Sequence, residues 1–141
     1  MKAITKYLMM MIVMLAMCVS FSSCDNGEDP EIPIPDLEGT YWEYSEDATV
    51  SGVIVKYEHS FSFSSSSAVY KIVETQQKGN ENYSNFETFN YTYKLSDDGN
   101  LVVLTPTQVG KATLEGKIQS QMKMTVTNVS TGKTIGIFYK K

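Results

Sequence analysis

The chain has 141 residues, a net charge of −4, one histidine and no arginine. Its lysines are scattered, so the clustered positive charge that nucleic-acid binding requires is missing. One histidine and two cysteines give no set of zinc ligands at suitable spacing, and no Gly-x-Ser-x-Gly occurs; composition points to a non-enzymatic protein without a cofactor.

The first element is a targeting segment. Lys2 and Lys6 form a short positive region, and Leu8 to Val19 is apolar. Serines interrupt that run before it reaches the ~20 apolar residues a spanning helix needs, which is the layout of a secretory signal. Ser22-Ser23 then precede Cys24. This arrangement resembles the lipobox of bacterial lipoproteins. The resemblance implies that residues 1–23 are a signal peptide removed on export, and that Cys24 receives a palmitate-type lipid. It also implies an outer-membrane lipoprotein of the cell envelope, periplasmic or surface-exposed, whose membrane partner is reached through the anchor. With Cys18 removed and Cys24 lipidated, the mature chain has no disulfide and is stable through its core alone.

Residues 24–38 form an acidic, proline-rich tether. They hold Asp25, Glu28, Asp29, Glu31, Asp36 and Glu38 with Pro30, Pro33 and Pro35, and no lysine. Proline locks φ and favours an extended chain. At ~3.1 Å per residue the segment spans about 45 Å. The acidic run after the cysteine resembles the surface-export signal of lipoproteins in anaerobic Gram-negative gut bacteria. A plain solvated spacer is the alternative.

Residues 39–141 alternate with period two between turn signals, which is the pattern of half-buried strands. In 53–63, Val53, Val55, Tyr57, His59, Phe61 and Phe63 share one face. In 86–95, Phe89, Tyr91, Tyr93 and Leu95 do so. Segment 112–119 sets Leu114, Gly116 and Ile118 on one face, and 122–128 sets Met122, Met124 and Val126. Segment 134–139 sets Ile135, Ile137 and Tyr139 against Thr134, Gly136 and Phe138. Less regular runs at 40–45, 68–77 and 101–105 complete eight strands. Ser96 to Asn100 and Ser130 to Lys133 read as hairpin turns, as does Glu46-Asp47, and Lys78 to Asn85 reads as the longest polar loop.

Loops this short force antiparallel neighbours, so the strands meander. The fold class is all-β. Eight such strands close into a barrel that removes exposed edges; a two-sheet sandwich is the alternative. The opening Leu37-Glu38-Gly39-Thr40-Tyr41-Trp42, the Phe61-Ser62-Phe63 strand, the Asp98-Gly99 hairpin and the closing Gly136-Ile137-Phe138-Tyr139-Lys140 strand are similar to lipocalin-like bacterial lipoproteins. The resemblance implies a calycin-type barrel.

The lumen of an eight-stranded barrel is either packed or just wide enough for one small ligand. Tyrosine suits a ligand pocket because its apolar body carries a polar tip. The candidate ligand-binding residues are Tyr57, Tyr91 and Tyr93, with His59 on the same apolar face as Tyr57, and Trp42 closing the barrel base. Tyr83 falls at a rim. Two functional readings remain open: a carrier of a small apolar or amphipathic ligand, or an accessory lipoprotein whose solid barrel contacts a protein or glycan through its loops. A cavity of ~300 Å³ or more separates them.

Overall fold

The computed structural model describes residues 35–141. Cys24, the leader and most of the tether therefore lie outside the described residues. Eight strands follow one another: β1 (Tyr41–Val50), β2 (Val53–Phe63), β3 (Ser67–Lys78), β4 (Glu81–Leu95), β5 (Leu101–Pro106), β6 (Leu114–Ser120), β7 (Lys123–Asn128) and β8 (Thr134–Lys140). Each pairs antiparallel with the next, and β1 pairs with β8, so the sheet is a closed barrel. The sandwich alternative is thereby excluded.

The hairpins explain the topology. Val50 pairs with Val53, so β1 and β2 are joined by two residues, Ser51 and Gly52, both at positive φ. That is the backbone of a type I′ turn, whose twist matches that of its strands. Lys78 pairs with Glu81 across Gly79-Asn80, where only Gly79 has positive φ. This second turn corrects one expectation. Lys78 to Asn85 is not a loop but the end of β3 and the start of β4. Alternation signals a strand only where one face is buried. Here both faces are wet, so Asn82, Tyr83, Ser84 and Asn85 are all exposed and carry no periodic signal. The same holds for Glu46-Asp47, which lies within β1 rather than in a turn.

The strands are unequal. β1 to β4 have 10, 11, 12 and 15 residues, whereas β5 to β8 have 6, 7, 6 and 7. The long half therefore extends past the short half and forms a one-sided wall at one end, called here the mouth. The opposite end is the base.

The core lies toward the base. Trp42, Phe61, Phe138, Leu104, Met124, Val102 and Val126 are fully buried in it, and Val55 is buried apart from it on β2. Leu37 is also buried against this cluster, so the packed body begins upstream of Gly39. Trp42 pairs with Phe61 on one side and Lys140 on the other, and its indole Nε1 donates to Thr40 Oγ1 at 2.9 Å. An aromatic of this size can be buried because its one polar atom has a partner.

β8 places Gly136 and Phe138 inside and leaves Ile137 and Tyr139 exposed. The pairing decides this: Gly136 lies opposite Val126 and Phe138 opposite Met124, both of which face the core. Bulk alone suggests the reverse face. Met122 is also exposed, because it sits in the turn before β7 rather than in the strand.

Candidate functional site

Residues paired across antiparallel strands share a face, so the register of β1 to β4 sorts the interior into rows. Nearest the base, Phe63, Ala68 and Tyr91 are aligned. Above them lie Trp42, Phe61, Tyr70 and Phe89. The next row is Tyr44, His59, Ile72 and Glu87. The fourth row is Glu46, Tyr57, Glu74 and Asn85, and beyond it toward the mouth lie Ala48, Val55, Gln76 and Tyr83. Polarity thus rises over the first four rows, whereas the outermost is mixed, with Val55 buried and Tyr83 exposed.

The two lower rows are solid. Phe61 stacks on Tyr70 with ring centroids 4.4 Å apart, Phe138 meets Phe61 edge-on at 5.0 Å, and Phe63 meets Tyr93 edge-on at 5.1 Å. The third and fourth rows border a cavity open to solvent. A cavity of about 350 Å³ is lined by Glu46, Tyr57, His59, Ile72, Glu74, Asn85, Phe86 and Glu87. That volume lies at the lower end of the range for small-molecule pockets, ~300–1,000 Å³.

The candidates identified from sequence therefore divide. Tyr57 and His59 line the cavity. Trp42, Tyr91 and Tyr93 belong to or pack against the base, and Tyr93 donates from its hydroxyl to the Ser64 carbonyl at 2.8 Å. Tyr83 is exposed on β4 near the hairpin tip. Sequence reasoning missed Glu46, Ile72, Glu74, Asn85 and Glu87. The usable signal was alternation continued outward from the aromatic positions: Tyr44 to Glu46, Tyr70 to Ile72 to Glu74, and Phe89 back to Glu87.

His59 is the centre of the site. It is only 9% exposed, and its Nδ1 lies 2.6 Å from the Tyr70 hydroxyl. Its Nε2 has no hydrogen-bond partner and stands 3.8 Å from Glu46 Oε1, beyond hydrogen-bond reach. Burial pushes the imidazole below its ordinary pKa, and the Glu46 carboxylate opposes that only partly. The ring is therefore neutral at pH 7. Burial also holds the Tyr70 phenol well above its ordinary pKa, so it keeps its proton. The hydrogen-bond network assigns the tautomer. If Nδ1 carried the proton, the buried Tyr70 O–H would have no acceptor. With Tyr70 donating to Nδ1, the proton sits on Nε2 and a single buried orphan donor remains.

Tyr44 holds His59 from the side. Their ring centroids are 5.4 Å apart, and the Tyr44 hydroxyl donates to Glu46 Oε2 at 2.7 Å. That hydrogen bond, more than burial, raises the Tyr44 pKa. Tyr44 thus fixes both the imidazole and the carboxylate beside it.

β1 and β8 share only two pairs, Trp42 with Lys140 and Glu43 with Tyr139, so the strands separate beyond Glu43. An outer groove of about 800 Å³ runs over this seam, with Tyr44, His59 and Gly136 among its lining residues together with Tyr41 and Tyr139. His59 therefore lines both the inner cavity and the outer groove.

The one imidazole has its Nδ1 occupied by a phenol, and no serine or threonine stands within hydrogen-bond reach of its Nε2. Among the described residues, no group of three or more histidine, cysteine, aspartate or glutamate side chains is gathered to hold a metal ion. No family model matches the chain, and no curated protein matches it.

Proposed function

We propose that this chain is a lipid-anchored lipoprotein of the outer cell envelope whose lipocalin-like barrel holds a small amphipathic ligand at its mouth. The observation that carries the reading is the cavity of about 350 Å³ with His59, whose buried Nε2 is unpartnered, in its wall. A buried donor without a partner costs ~1–3 kcal/mol. A barrel that was purely a scaffold gains nothing by keeping both that donor and the empty volume. Ile72 and the Tyr57 ring supply apolar wall, and His59, Asn85 and the glutamates supply polar contacts, which is the balance of small-molecule sites. The volume equals about a dozen waters at ~30 Å³ each, so the ligand is compact and a long acyl chain does not fit.

The test uses His59, the only histidine, as a reporter. Small amphiphiles with neutral, cationic and anionic head groups are added to the full chain while its imidazole proton resonances are followed. Saturable shifts by at least one compound, lost when Ile72→Trp fills the cavity, support the reading. Silence across the whole panel rejects it.

A second reading, contact with a protein or glycan, is favoured by the outer groove, where Tyr41 and Tyr139 are both exposed. Loss of partner capture from envelope extracts on changing Tyr41 and Tyr139 to serine, with the His59 response intact, would favour it.

A further inference from the structure

We infer that the upper edge of β1 is a docking strand, to which an extended, basic segment of another protein adds itself alongside Ser45, Asp47 and Thr49. This inference rests on the partner-contact reading of the outer groove and specifies the partner's chemistry and its mode of attachment.

Two hydrogen bonds fix the backbone directions of β1. Phe63 N donates to Thr40 O at 3.0 Å, and Lys141 N donates to Tyr41 O at 2.9 Å. Even-numbered residues therefore aim their N–H and C=O at β2, and odd-numbered ones at β8. The register with β2 runs from Tyr41 to Val50 without a shift, so this alternation holds along the whole strand. β8 takes up its side of β1 only at Trp42 and Glu43. Ser45, Asp47 and Thr49 continue the edge with no strand beside them. Among the described residues, no turn or loop hydrogen bond reaches their N–H or C=O either.

Exposure agrees with an open edge. Ser45, Glu46, Asp47, Thr49 and Val50 are all exposed, although they alternate between the two faces of the sheet. A row of open backbone donors and acceptors is a template for an added strand. The outer groove gives the approach, since Ser45 lines it from β1 and Ile137 from β8. Neither a proline nor a bulge blunts the edge.

Charge selects the occupant. Glu46 and Asp47 are adjacent on the edge, one on each face. The cations beside them are already engaged: Lys141 lies 3.3 Å from Glu43, and Lys56, opposite Asp47 on β2, pairs with Glu58 at 2.8 Å. A second copy of β1 centred on this edge would set Asp47 against Asp47, and like charges directly opposite destabilise a pair. Two adjacent basic residues opposite Glu46 and Asp47 reverse that sign. The edge thus favours a basic strand and turns away its own copy.

The test follows the amide resonances of the full chain during titration with capped hexapeptides. Thr-Val-Lys-Lys-Val-Thr should bind, shifting the amides of Ser45, Asp47 and Thr49 and slowing their hydrogen exchange. The amides of Glu46 and Ala48, which point to β2, should change little. The same peptide with glutamates in place of the lysines should bind at least about tenfold more weakly, and added salt should narrow that difference. Two isomers N-methylated on alternate amides should separate, because only one side of the added backbone meets β1: one should bind and the other should not. Ser45→Pro removes an edge N–H without touching the ladder to β2, so it should abolish binding and leave the urea midpoint in place. Equal binding of the two methylated isomers, or binding that survives Ser45→Pro, overturns the edge inference and leaves contact through Tyr41 and Tyr139 standing. Equal binding of the lysine and glutamate peptides overturns the basic partner. A dimer in sedimentation that Ser45→Pro dissociates gives the edge to a second copy and overturns it as well. Silence of Ser45, Asp47 and Thr49 toward every peptide overturns the edge inference, while capture through Tyr41 and Tyr139 decides the reading beneath it.

Discussion

The Tyr44 ring occupies the space that a β-carbon on Gly136 would need. Such a carbon would lie 2.5 Å from ring atoms Cδ1 and Cε1. Tyr44 thus seals the seam where β1 parts from β8, and glycine at 136 lets it lie flat against the opposing backbone. Gly136→Ala should destabilise the barrel by ~1–3 kcal/mol, as over-packing does in tight cores. A second change, Tyr44→Ala, should recover part of that loss, because contacting residues couple. Urea unfolding of the two single variants and the double variant measures the coupling. Additive losses would show that the ring and the glycine do not meet in solution.

Trp42 gives the sharpest stability prediction. It is 1% exposed and packed at the base. Trp42→Ala should cost ~3–5 kcal/mol, a large fraction of the total for a domain of this size. Thr40→Val should cost ~1–3 kcal/mol, because it leaves the indole N–H unpartnered. Trp42→Phe removes the N–H with the bulk and should cost less than Trp42→Ala. Native fluorescence from this single tryptophan should resist quenching by acrylamide.

His59 links stability to pH. Burial lowers its folded pKa below the unfolded value of 6.5. As pH falls below 6.5 the unfolded chain takes up the proton first, so stability falls with pH until the folded pKa is reached. The groups facing the imidazole are Tyr44, Glu46 and Tyr70, and of these only Glu46 favours the protonated ring. The urea midpoint should therefore decline from pH 7 to pH 5, and His59→Asn should flatten that decline. A histidine resonance that titrates at or above 6.5 in the native protein would contradict the assigned burial.

The proposed lipid anchor has a direct test. Labelling cells with a palmitate analogue should tag the wild-type chain, and Cys24→Ala should lose the label and leave the membrane fraction. A labelled Cys24→Ala variant would sink the anchor assignment.

Alternation and turn residues are local, and they were enough to count the strands and to order them as a meander. In β2 the agreement extends to both boundaries, Val53 and Phe63, because one face is apolar along its length. Closure into a barrel was one of two readings the sequence left open, and the pairing of β1 with β8 decides it against a sandwich. The extension of β3 and β4 to Gly79-Asn80 was not legible, since strands wet on both faces carry no hydrophobic period. Which face of β8 turns inward was decided by its pairing with β7, which outweighed the bulk of Ile137 and Tyr139. The site itself lay furthest from view. Glu46, His59, Glu74 and Glu87 sit on four strands and share one cavity only because the register sets Tyr44 beside His59, His59 beside Ile72 and Ile72 beside Glu87. Sequence fixes which residues along one strand share a face. Which of those faces meet across strands, and how much space they leave, is a property of the closed sheet.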